Sequence, residues 1–305
     1  MSEEGAALEA AGLGMRYGRR RKQVLDDCSF RVPEGSVCAL VGPNGTGKST
    51  LLKLAAGLLR PAAGAVRVLG GGPAEARERV AYVAQQKPLY PQLTVAETLR
   101  FGAETNPRRW DREAAERIAY AAGQDGGQKV RSLSGGQRTR VALALAVGKR
   151  PDLMLLDEPM ADLDPLARHE LAGALLAEAT ERGTTVVMSS HVIAELENSC
   201  DRLLLLGGGR VRLAGPVDEL LAAHALLTGR GPDFGPHTVV EQRQSGRGAA
   251  ALVRLERDAQ RGSDWLVEQP TLDDLVLAHL RNPSAAPLVL GENGENGDRQ
   301  QEAAA

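Results

Sequence analysis

At 305 residues, 43% hydrophobic and 25% charged, the chain is long enough for one domain of ~200 to 250 residues with a smaller appendage, and disordered or fibrous classes are excluded. Lysine plus arginine total 37 against 39 aspartate plus glutamate, a formal charge of -2, so no basic field advertises a nucleic-acid partner. Cys28, Cys38 and Cys200 are odd in number and unpaired in spacing, which points away from disulfides and zinc and toward a reducing compartment.

The opening stretch from Met1 to Leu8 carries Glu3 and Glu4 and lacks the basic start and apolar core of a signal peptide, so the expected location is the cytoplasm. An apolar run from Ser36 to Val41 reads as a strand buried on both faces. A helix-like stretch follows from Thr50 to Leu59. Residues from about 87 to 132 hold helical segments without a convincing strand and read as a helical insertion. Helix from Gly136 to Gly148, strand from Asp152 to Asp157, helix from Pro165 to Glu181 and strands from Thr184 to Ser189 and Leu203 to Leu206 complete an alternation that predicts an α/β domain with a mainly parallel sheet. The longest apolar run, Val141 to Val147, falls far short of the ~20 residues that a membrane-spanning helix needs.

Beyond Leu221 the texture changes. Short strands are expected from His237 to Gln244, Ala249 to Glu256 and Trp265 to Glu268, closed by an amphipathic helix from Thr271 to Arg281. The division is therefore residues 1–222 as the main domain, 223–290 as a carboxyl-terminal accessory domain and 291–305 as a polar, disordered tail.

Two stretches carry chemistry. Gly42-Pro43-Asn44-Gly45-Thr46-Gly47-Lys48-Ser49 fits G-x-x-x-x-G-K-[ST] between a predicted strand and a predicted helix, the context that this phosphate loop requires. Its glycines let backbone N–H groups close on a triphosphate at a helix start. Lys48 is expected on the β- and γ-phosphate oxygens, Ser49 on Mg²⁺ and Thr50 on the phosphates. Leu153-Met154-Leu155-Leu156-Asp157-Glu158 sets two carboxylates at the end of a buried strand, beside the end of the phosphate-loop strand. Asp157 is the expected Mg²⁺ partner and Glu158 the general base for an attacking water.

Leu133-Ser134-Gly135-Gly136-Gln137 narrows the reading, because it resembles the signature of ABC ATPases. The capped helix start at Ser134 also suits that role, since its N–H groups can face a γ-phosphate held by an opposing subunit. The resemblance implies a P-loop NTPase core with an antiparallel β subdomain and a helical insertion at about 87–135. Gln85, after Tyr82-Val83-Ala84, resembles the Q-loop residue that senses Mg²⁺ and water. Leu163-Asp164 resembles the D-loop at the dimer interface, which implies that Asp164 meets nucleotide there, and Ser189-Ser190-His191 resembles the switch histidine on the γ-phosphate. Tyr17 matches the aromatic that stacks on adenine. Two departures are visible: Asp162 adds a carboxylate where such loops commonly carry a small uncharged residue, and Thr139 stands where glutamine is frequent.

By the same resemblance, ATP and Mg²⁺ are the cofactors, and two chains, alike or different, close on nucleotide, with Ser134, Gly135, Gly136 and Gln137 completing the facing site. A separate transmembrane permease is the implied partner, which places the chain on the inner face of the membrane, and no nucleic acid is expected. The tail, with Trp265 and the stretch from Leu272 to Leu280, resembles extensions of bacterial drug-exporter ATPases, so export is expected; a soluble ABC ATPase acting on ribosomes or DNA is the alternative.

Overall fold

The computed structural model describes residues 5–18, 22–121, 123–190, 199–229, 234–245, 248–256 and 265–291. In chain order the elements are β1 (Ala6–Tyr17), β2 (Lys22–Pro33), β3 (Val37–Val41), α1 (Lys48–Ala55), β4 (Ala63–Val68) and β5 (Val80–Val83). The insertion supplies α2 (Val95–Thr105), α3 (Arg112–Tyr120) and α4 (Gly135–Gly148). Then come β6 (Leu153–Asp157), α5 (Pro165–Arg182), β7 (Thr185–Ser190), β8 (Arg202–Gly207), β9 (Arg210–Pro216) and α6 (Val217–Ala222). The carboxyl-terminal part adds β10 (His224–Gly229), β11 (Thr238–Ser245), β12 (Gly248–Arg254), β13 (Leu266–Glu268), α7 (Leu272–Arg281) and β14 (Leu288–Val289).

A seven-stranded sheet in the order β14-β9-β8-β3-β7-β6-β5 forms the backbone of the molecule, parallel except where β8 meets β9. Its strands alternate between two cores. Leu40, Leu153, Leu155 and Val187 pack with α1 and the β1-β2-β4 sheet, whereas Val41, Met154, Leu156 and Met188 pack with α4 and α5. Burial on both faces explains why these strands read as unbroken apolar runs. β1, β2 and β4 give no such run, because their antiparallel ladder is interrupted by several register shifts and one face meets solvent.

Polar residues set the helix ends. Ser134, Thr94 and Thr271 each form a reciprocal capping box with the residue three positions on, and Asp164 caps α5 ahead of Pro165. Gly183 closes α5 in the left-handed conformation, φ 65°.

α6 ends at Ala222, and the chain beyond it stays bound to the main sheet. β10 to β13 form their own antiparallel sheet, ordered β11-β12-β10-β13, around a small core of Leu227, Phe234, Val253 and Trp265. In contrast, Leu272, Leu275 and Val276 of α7 belong to the same apolar cluster as Leu203 and Leu205 of β8. β14 pairs with β9 at Leu288↔Leu213 and Val289↔Ala214, and so extends the main sheet by one strand. Arg212 of β9 reaches across to the carbonyls of Asn282 and Ala285. The Gly- and Pro-rich stretch 229–236, which in sequence marks a linker or loop, lies partly outside the described residues, and the tail from 292 wholly so.

Candidate nucleotide site

The loop from Gly42 to Gly47 leaves the end of β3 and turns into α1. Two of its glycines are required by the backbone. Gly42 has φ 155° and a Cβ there would lie 2.4 Å from the Leu206 carbonyl oxygen; Gly47, the N-cap of α1, has φ 107° and a Cβ would meet Leu25 Cδ2 at 2.5 Å. Inside the loop the Thr46 hydroxyl donates to the Pro43 carbonyl at 2.8 Å. Lys48, at the start of α1, is buried and folds back so that its ammonium donates to the Gly42 carbonyl at 2.6 Å. Burial holds this lysine below the ordinary lysine range, and the carboxylates of Glu158 and Asp157 partly counter that shift.

β6 delivers the acidic pair, but not beside β3. β7 lies between β3 and β6, and Ser189 of β7 joins the two sides. The Ser189 hydroxyl donates to Asp157 Oδ1 at 3.0 Å and accepts from the Glu158 backbone N–H at 2.9 Å. Asp157 Oδ1 also accepts from the Ser49 hydroxyl at 3.0 Å, which brings the two expected Mg²⁺ donors together. Glu158 adopts φ 45°, a left-handed conformation rare for glutamate, and its carboxylate sits 3.8 Å from the Lys48 ammonium. Gln85 Nε2 donates to the other oxygen of the same carboxylate at 3.2 Å. Lys48, Ser49, Gln85, Asp157 and Glu158, drawn from three separate stretches of sequence, thus form one group joined by hydrogen bonds and an ion pair.

Tyr17, at the end of β1, brings its hydroxyl to 3.5 Å from Thr50 Oγ1, and the residue is 40% exposed. Ser134 to Gln137 start α4, and their contacts run to the D-loop of the same chain: a Cβ at Gly135 would meet Asp162 Cβ at 3.1 Å, and one at Gly136 would meet Leu163 Cδ2 at 3.0 Å. Asp164, expected at nucleotide, accepts from the Ala167 N–H as the cap of α5. His191 lies outside the described residues.

Two participants were not singled out from sequence for what they do. In the sequence Ser189 stands out only as a neighbour of the switch histidine; its bridging hydroxyl depends on strand order, which no local pattern states. Tyr82, one strand away on β5, has a buried hydroxyl without a hydrogen-bond partner; burial, with Asp157 nearby, pushes its pKa up.

The donor set fits the expected ligands. Ser49 and Asp157 offer only oxygen, as a hard divalent ion prefers, and Mg²⁺ is commonly held by one or two carboxylates with substrate phosphates filling the remaining positions.

Known proteins decide between this and other P-loop folds. A family profile described as "ABC transporter" matches residues 25–161. The Nod factor export ATP-binding protein I of Rhizobium etli is 36% identical over 234 residues, covering 72% of this chain and 72% of that protein. The chain belongs to the ABC transporter ATP-binding family. Its ABC cassette is also 37% identical over 214 residues to the molybdenum import ATP-binding protein ModC of Mycobacterium tuberculosis, covering 65% of this chain and 58% of that one. The chain thus spans about three-fifths of the length of such curated relatives. A solved structure of an ABC transporter ATP-binding subunit superposes with a TM-score of 0.62 at 31% identity, over 71% of this chain and 92% of that one. The ABC fold accounts for the helical insertion and for the signature at the head of α4.

Proposed function

We propose that this chain is the ATP-hydrolysing subunit of a bacterial ABC transporter, driving a separate membrane subunit by nucleotide-dependent closure of a dimer. The observation that carries the reading is the convergence of Lys48, Ser49, Gln85, Asp157 and Glu158 into one group. Lys48 and the N-terminus of α1 would hold the β- and γ-phosphates, while Tyr17 would lie under the base. Ser49, Asp157 and Gln85 would hold Mg²⁺, which supplies charge neutralisation at the phosphates. Glu158 would accept the proton of the attacking water, and Gln85 orients its carboxylate.

Gly135 and Gly136 lie against Asp162 and Leu163 of their own chain, and a second copy or a related ATPase would present the same α4 start to nucleotide from across the interface. No helix among the described residues is long and apolar enough to cross a membrane, so the transport path would belong to another chain, which the cassette would meet from the cytoplasmic side. Export is our reading of direction, supported by the Rhizobium relative; the Mycobacterium relative supports import as the second reading.

The decisive experiment is Glu158→Gln in the full chain. Phosphate release should slow by ~10²- to 10⁴-fold while ATP binding is retained, and normal turnover would sink the assignment. Co-expression with a membrane protein encoded beside the gene, followed by ATP-driven movement of solutes into or out of vesicles, separates export from import.

A further inference from the structure

Lys87 sits two residues after Gln85 in a left-handed conformation, φ 46°, with a side chain only 2% exposed. A buried ammonium needs a charged partner. It has one in Asp162, whose Oδ2 lies 2.7 Å from Lys87 Nζ. The carboxylate side is 54% exposed, so one end of the pair is fixed and the other is open to solvent. Asp162 is also the extra acid of the D-loop, and its Cβ rests against Gly135 at the head of α4.

These contacts close a ring. Glu158 bonds to Gln85, Gln85 leads along the backbone to Lys87, Lys87 pairs with Asp162, and Asp162 returns to Glu158 through three intervening residues, steadied by the Ala161 N–H to Glu158 carbonyl bond. A short loop restrained at both ends cannot shift independently of either one. We propose that the Lys87–Asp162 pair is a positioning tie that locks the D-loop and the start of the signature helix to the Gln85–Glu158 pair, so that displacement at the reacting end is carried to the dimer-facing loop. This rests on the ATPase reading above, and neither residue is assigned any contact with nucleotide.

The test uses the full chain with three variants, Asp162→Asn, Asp162→Glu and Lys87→Met. Asp162→Asn and Lys87→Met should each lower kcat by about 3- to 30-fold, the span of a typical coupling contribution, while KM for MgATP moves less than twofold. Asp162→Glu, which keeps the charge, should recover most of the loss. Amide hydrogen exchange at residues 159–164 and 85–88 should accelerate together in Asp162→Asn, a readout that does not need turnover. Unchanged exchange in either segment, or a kcat within twofold of the parent, overturns the tie. A lower Tm with a raised KM and no rescue by glutamate assigns the pair a structural role only and overturns it as well. If the parent chain hydrolyses no ATP, the ATPase reading fails, and the exchange experiment alone decides the tie.

Discussion

The nucleotide end and the carboxyl-terminal end of this molecule handle buried polar groups in opposite ways. Around Lys48, Asp157 and Ser189 the buried donors and acceptors, the Tyr82 hydroxyl apart, meet one another, in a group aimed at something not part of the chain. At the other end, His224 and His279 meet edge to face with ring centroids 5.6 Å apart, and His224 Nε2, both nitrogens of His279 and Arg212 Nε are buried without hydrogen-bond partners among the described residues. A preorganised polar network is conserved free energy for a ligand, while an incompletely paired basic cluster is a weakness that apolar packing must offset. One end is built to work and the other to hold.

Glu158→Gln gives the sharpest separation. Hydrolysis should fall by ~10²- to 10⁴-fold with Tm unchanged within a degree or so, as measured by phosphate release and calorimetry. Leu275→Ala should do the reverse. Its side chain is fully buried in the cluster shared with β8, so stability should drop by about 2–5 kcal/mol in a single transition for the whole chain. Two transitions, with only the smaller one moved, would break the comparison by showing the carboxyl-terminal part to be an independent unit. Ser189→Ala returns to the nucleotide end. Loss of the hydroxyl that orients Asp157 should slow Mg²⁺-dependent hydrolysis by ~10- to 100-fold, with metal-free nucleotide binding preserved in a fluorescence titration.

The smallest effect is a pH dependence. Burial, then His224, Arg212 and Arg254, lowers the pKa of His279 to about 3, and burial lowers that of His224. The unfolded chain takes up protons near pH 6.5, whereas the folded chain resists them. Stability from these rings is therefore complete above about pH 6.5 and declines as pH falls toward 3, by up to ~1.4 kcal/mol per unit for His279. His279→Leu should flatten the difference between Tm at pH 7.5 and Tm at pH 5.5; an undiminished slope would assign the acid sensitivity elsewhere.

How far the sequence discloses this arrangement depends on the distance over which each feature is encoded. The phosphate loop, the acid pair at the end of β6 and the capped start of α4 are each written in a few consecutive residues, and β3, β6, β7 and β8 announce themselves by two-faced burial. β5, β9, β10 and β14 carry no such signal, since they are short or lie against a turn, and their identity comes from their partners. The Lys87–Asp162 pair and the Ser189 bridge require knowledge of which loops and strands meet. The same limit hid the return of α7 and β14 to the main sheet: the helix was legible from Thr271 to Arg281 by its period and cap, but its destination was not.

The pairing of β14 with β9 has a consequence for any shortened form of this protein. β14 occupies Leu213 and Ala214 at the outer margin of the main sheet, and the Leu290 N–H adds a further bond to the Ala214 carbonyl. A chain stopped at the end of α6 would leave that margin bare, with unpaired backbone groups beside apolar side chains, a template onto which another extended segment can add. Such a fragment should keep its nucleotide chemistry in principle yet precipitate in practice, so the tail acts as a selvedge that keeps the woven sheet from fraying into its neighbours.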